Sequence, residues 1–97
     1  MKALRNPERV ELNHLITACQ LAGKNILEIG CGDGDLTWQY AGLPWQVVGI
    51  DPAAADILQA KKDTPASLSN ISLVRAIAEA LPFPPGSFDV ALFASSL

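Results

Sequence analysis

A short apolar run that ends in three alternating glycines, Ile26-Leu-Glu-Ile-Gly-Cys-Gly-Asp-Gly34, constrains the fold of this chain more than any other feature. The run from Asn25 to Ile29 is apolar and bounded by turn formers, so it reads as a buried strand. Gly30, Gly32 and Gly34 then let the backbone approach a ligand without side-chain obstruction, at the carboxyl end of a sheet, where open α/β folds bind their ligands. A strand feeding a glycine loop is the first half of a βα unit.

The rest of the chain continues that pattern. Over residues 7–22, Leu12, Leu15, Ile16 and Cys19 recur at three- and four-residue steps, which predicts a helix with one buried face, stopped by Gly23. Asp35 is placed to cap a helix on which Leu36 and Tyr40 share a face, and residues 42–44 end it. Residues 46–51 read as a second strand, followed by Pro52 in the first turn of a helix from about 53 to 62. Residues 71–75 and 88–93 read as a third and a fourth strand. Between them, three prolines make residues 81–86 irregular.

Strands that alternate with helices and are buried on both faces imply a parallel sheet inside an α/β, Rossmann-like three-layer αβα sandwich. With 97 residues there is room for one small domain. Its expected parts are an N-terminal helix within residues 1–23 and a βαβ core over 24–97.

Composition removes several classes of function. Ten acidic residues against seven scattered basic ones give a net charge of −3, which leaves no basic stripe for tracking phosphates, so no nucleic-acid partner is expected. The N-terminus has no apolar stretch of the signal-peptide kind, and every apolar run is broken far short of the ~20 residues that span a bilayer. A cytoplasmic protein with no membrane partner follows as the expectation. Cys19 and Cys31 lack CxxC spacing, so no metal site and no disulfide is expected.

Asp51 closes the second strand, 17 residues after Gly34. A carboxylate there can accept hydrogen bonds from both hydroxyls of an adenosine ribose. The glycine spacing is G-x-G-x-G, whereas the dinucleotide fingerprint is G-x-G-x-x-G, and this leans away from NAD. The plainer alternative is that the glycines only make a tight turn and Asp51 only caps the next helix.

The segment from Ile26 to Gly34 resembles motif I of the class I S-adenosylmethionine-dependent methyltransferases, and Gly49-Ile-Asp51 is similar to their second, acidic motif. The segment Ala78-Glu-Ala-Leu-Pro-Phe-Pro-Pro-Gly-Ser-Phe-Asp-Val90 resembles the stretch before the fourth strand in the type 11 branch of small-molecule methyltransferases. The resemblance covers residues 24–97 and implies S-adenosylmethionine as cofactor and a small-molecule substrate. It also implies roles. Glu28 would support the loop and approach the methionine part, while the Gly30 carbonyl would accept from the ammonium group. Cys31, Gly32 and Gly34 would complete the loop. Asp51 would hold the ribose and Pro52 would lie against the adenine. The Ala78 N–H would meet a ring nitrogen with Glu79 beside it, and Ala94 would lie near the methionine end. No catalytic residue is assigned, because a sulfonium is already an activated donor and alignment supplies most of the acceleration.

Two departures from the family pattern stand out. Ile77 occupies the place of an aspartate that accepts from the adenine amino group. The family sheet resembles a seven-stranded one, whereas this sequence stops at Leu97 after the fourth strand, so the expectation is an N-terminal half, truncated there. Its fourth strand would carry an uncovered edge, to be covered by a missing C-terminal half or by a second copy in a homo-oligomer. Two rival functions follow, a non-catalytic or incomplete nucleotide-binding module that needs a partner, and an NAD-binding oxidoreductase domain. Other residues take plainer roles. His14 is read as a surface or half-buried residue, and Trp38 and Trp45 as packing rings. The Cys31 thiol is read as a space-filler, and Lys61-Lys62 as the solvated end of a helix.

Overall fold

A computed structural model describes residues 2–5, as a strand and its pairing, and residues 21–94. The helix expected over residues 7–22 lies outside the described residues except at its end, as do His14 and Cys19. Its end is visible: Leu21 is helical and buried, the Lys24 N–H donates to the Leu21 carbonyl, and Gly23 takes φ +70° as a helix-terminating glycine does.

Five strands form the sheet: β1 (Lys2–Arg5), β2 (Asn25–Ile29), β3 (Gln46–Asp51), β4 (Ile71–Arg75) and β5 (Val90–Phe93). Their order is β1-β5-β2-β3-β4 and every pair is parallel. Strands β2, β3 and β4 have the predicted limits, and β5 starts two residues later than predicted. The difference at β5 has a local cause. The Asp89 N–H donates to the Asn25 carbonyl and its Oδ2 accepts from the Asn25 N–H at 2.8 Å, so Asp89 clamps the start of the β2–β5 ladder from outside it.

The uncovered β5 edge expected from the sequence is corrected by β1, which pairs with β5 from Lys2↔Val90 to Arg5↔Phe93. Four residues with two basic side chains carry too weak an alternation to read as a strand. Their place is set by the open β5 backbone groups they satisfy.

Side-chain alternation sorts the core into two faces. On one, Ile26, Val47, Val90 and Leu92 pack with Leu21 and Tyr40, and next to them Cys31 and Leu73 pack with Ile57 and Ala60. The helices α1 (Thr37–Tyr40) and α2 (Ala54–Asp63) cover this face. On the other, Leu27, Val48 and Ile50 are covered by Leu81, Phe83 and Phe88, the two phenylalanines meeting edge to face at 5.2 Å. The proline-rich segment is thus irregular, as predicted, and lays an aromatic layer on the sheet.

Two local readings are corrected. Asp35 does not cap α1, whose N-cap Leu36 has no side-chain cap bond; Asp33 Oδ1 instead accepts from the Asp35 N–H at 3.2 Å and folds the loop one step earlier. Trp45 is not packed. It is 72% exposed on the turn before β3, whereas Trp38 is half-buried against the core. No helix among the described residues is long and apolar enough to cross a membrane.

Candidate functional site

The carboxyl ends of β2, β3 and β5 come together at Gly30, Asp51 and Ala94, which line one cleft of about 320 Å³. The volume falls in the range of small-molecule sites. The N–H groups of Gly30 and Cys31 both donate to the Ile50 carbonyl, at 2.9 and 3.0 Å, and turn the chain sharply off the end of β2. Gly30, Gly32 and Gly34 all have positive φ, a region that L side chains rarely adopt. At Gly32, a Cβ would meet nothing within 4 Å, so added bulk would project into open space beside the cleft. Gly34 is needed for another reason. A Cβ there would fall under 3.0 Å from three atoms of the Trp38 ring, so the indole lies on the glycine and holds the loop.

Asp51 ties the parts together. Its Oδ2 accepts from the Gly32 N–H at 3.0 Å and its Oδ1 from the Ala53 N–H at 2.9 Å, joining the loop to the start of α2. The cap reading and the site reading are therefore compatible, since each carboxylate oxygen accepts more than one hydrogen bond and Asp51 lines the cleft. Asp33, Asp35 and Asp56 stand around the same opening, and among the described residues no basic one lines it, so the potential from these residues favours a cationic ligand. The sequence analysis places none of these three at the site, and reads Asp35 only as a helix cap. Asp33 was legible as an acid inside the glycine loop and Asp35 as one directly after it, and Asp56 only once α2 had been placed against the cleft. Leu36 and Gln39, also on the wall, follow from α1 continuing out of the loop.

Glu28 lies behind the cleft wall. It is fully buried, and its Oε1 accepts from Thr37 Oγ1 at 2.9 Å and from the Tyr40 hydroxyl, while Oε2 has no partner among the described residues. Burial raises its pKa from 4.5 to about 7, against a lowering by the Tyr40 and Thr37 hydrogen bonds. The Tyr40 hydroxyl is pushed well above its ordinary value by burial and by Glu28, which keeps it a donor. Glu28 thereby pins α1, and with it the far end of the glycine loop, to β2.

Cys31 has its backbone in the cleft wall and its side chain 5% exposed against Gly49, where a Cβ would come within 3.1 Å of Cys31 Sγ. Burial first, then the nearby Glu28 and Asp51 charges, pushes the thiol up to about 12. A thiol held neutral in this way is a packing group. Pro52 lines a second groove, of about 380 Å³, together with Ile77 and Ala80, on the side of Asp51 toward β4. Ala78 and Glu79 are exposed on the 3₁₀ turn Ala78–Ala80 that borders it. Of the residues expected at the site, Gly30, Cys31, Gly32, Asp51 and Ala94 line the cleft and Pro52 lines the groove. Glu28 and Gly34 support the cleft from behind.

A family model described as methyltransferase domain matches residues 26–97. A ubiquinone biosynthesis O-methyltransferase of Albidiferax ferrireducens is 41% identical over 88 residues, covering 88% of this chain and 34% of that protein. The chain thus spans about a third of the length of this curated relative. Among solved structures, a SAM-dependent methyltransferase from Methanosarcina mazei superposes with a TM-score of 0.71 at 27% identity, over 84% of this chain and 42% of that one. A phosphoethanolamine N-methyltransferase from Haemonchus contortus, in complex with phosphoethanolamine and S-adenosylhomocysteine, gives 0.68 at 26% identity, over 76% and 16%. These similarities do not favour the NAD-binding reading or the non-catalytic one.

Proposed function

The chain belongs to the methyltransferase-domain family, in its class I, S-adenosylmethionine-dependent group, and we propose that residues 24–97 bind S-adenosylmethionine as the donor-binding core of an enzyme that methylates a small molecule. The observation that carries this reading is the Asp51 carboxylate, buried to 8% exposure yet lining the cleft, with both oxygens held by backbone N–H groups and lone pairs left for two ribose hydroxyls. The residues present fit such a group. Gly32 leaves unobstructed space beside the cleft, and the acids around the opening suit a donor that carries positive charge on sulfur and on its amino group.

When bound, S-adenosylmethionine supplies a methyl group activated by the sulfonium. The chain's own residues bind and orient. Asp51 fixes the ribose, the Gly30 carbonyl accepts from the ammonium group, and Ala94 borders the methionine end. Glu28 acts through α1, keeping the loop in the geometry that Asp51 reads. Alignment is worth several kcal/mol in such displacements, so the described residues serve catalysis by holding the donor still. The names of the relatives, ubiquinone biosynthesis O-methyltransferases among them, support a small hydroxyl-bearing acceptor.

Thermal unfolding with S-adenosylmethionine and NADH in parallel tests the proposal. A ligand at one hundred times its Kd stabilises by about 2.7 kcal/mol, which raises the midpoint by several degrees. A rise with the methyl donor and none with NADH is expected. The reverse order would overturn the assignment.

A further inference from the structure

Glu28 stands one layer behind the cleft. It lies on β2 two residues before Gly30, between Gly49 of β3 and Leu92 of β5, and is fully buried. Thr37 and Tyr40 of α1 hold its carboxyl, and Leu36 and Gln39 beside them line the cleft. Among the described residues, the titratable groups that face Glu28 are Tyr40 from α1 and Cys31 from the loop, and both are held neutral. Gly49 and Leu92, its neighbours across the sheet, carry no charge. Cys31, in the cleft wall, feels the Glu28 charge, so a charge placed in the cleft acts back on Glu28 through the same wall. Burial, partly offset by the Tyr40 and Thr37 hydrogen bonds, brings the carboxyl to about 7, where one nearby charge decides its form.

Resting on the donor-binding reading above, we propose that Glu28 distinguishes the methyl donor from the spent product by charge: it gives up its proton to solvent when the sulfonium enters the cleft, and takes one back once the sulfur has become a neutral thioether. The two ligands differ only by the methyl group and the positive charge on sulfur. A unit positive charge about 10 Å away, at an effective dielectric of about 20, lowers a carboxyl pKa by about one unit. Ionised Glu28 attracts the donor and has no charge to attract in the product. The preference for donor over product therefore widens as pH rises through the neutral range.

Titration calorimetry with S-adenosylmethionine and S-adenosylhomocysteine, in two buffers of different ionisation enthalpy, counts the protons exchanged by the wild type and by Glu28→Gln. For each ligand, the difference between the two proteins removes the titration of the ligand's own amino group. At pH 7 this difference is expected to be about 0.4 proton released with the donor and under about 0.1 with the product. Between pH 6 and 8 the wild-type preference for the donor should widen about fivefold more than that of the variant. Difference infrared spectra of the wild type give a reading independent of the variant: the band of a buried protonated carboxyl fades with the donor and stays with the product. Equal proton release with both ligands, or the same carboxyl band with both, would overturn the proposal while leaving the donor site standing. A wild type that binds neither ligand would overturn the donor-binding reading, and this proposal with it.

Discussion

Replacing Glu28 by glutamine isolates the cost of keeping a carboxyl in the core beneath the glycine loop. In the native protein the group titrates near 7 because burial disfavours its charged form, and in the unfolded chain it returns toward 4.5. Between those values the native state keeps a proton that the unfolded state releases, so stability falls as pH rises. The contribution is fully present below about pH 4.5, is lost through about 7, and is flat above. A change from 4.5 to about 7 corresponds to about 3 kcal/mol. Glutamine has the same shape, keeps an oxygen for Thr37 Oγ1 and Tyr40, and cannot ionise. Urea unfolding of both proteins across this pH range is the assay, and the difference between their curves removes the other carboxylates. The wild type is expected to lose about 3 kcal/mol relative to Glu28→Gln from acid to neutral pH. Parallel curves would refute the burial of the Glu28 carboxyl that raises its pKa.

Two other positions give independent tests. Gly34→Ala puts a Cβ into the Trp38 ring at a φ of +91°, and is expected to cost more than about 1 kcal/mol by denaturation. The double variant with Trp38→Ala recovers the steric part, and a purely additive pair would contradict the stacking of the indole on the loop. Cys31, buried and with its thiol near 12, should resist alkylation at mildly alkaline pH until the protein unfolds. Peptide mapping distinguishes it from Cys19, and rapid labelling of Cys31 in the native state would count against its packing on Gly49.

Strands β2, β3 and β4 were legible from the sequence because each is a short apolar run between turn formers, and the glycine loop and Asp51 were legible because their chemistry requires few residue types at a fixed spacing. What escaped depends on contacts between distant parts of the chain. Residues 2–5 pair as a strand only because β5 offers an open edge. Glu28 looks from its position like a cofactor contact, and only the placement of Thr37 and Tyr40 over it reveals a buried anchor. Trp45 and Trp38 are alike in composition terms, and which one packs is decided by the empty side of Gly34. Asp33 caps the turn in place of Asp35 because a two-residue reach closes before the helix begins.

The central claim is that the glycine turn and Asp51 together hold an adenosyl group. Calorimetric titration of S-adenosylmethionine into the wild type, Asp51→Asn and Asp51→Ala, with thermal unfolding confirming that each is folded, addresses it most directly. Saturable binding at one site is predicted, weakened by about 1–3 kcal/mol in Asp51→Ala, as for loss of a charged acceptor. Equal affinity in all three proteins, or no binding by the wild type, would contradict it.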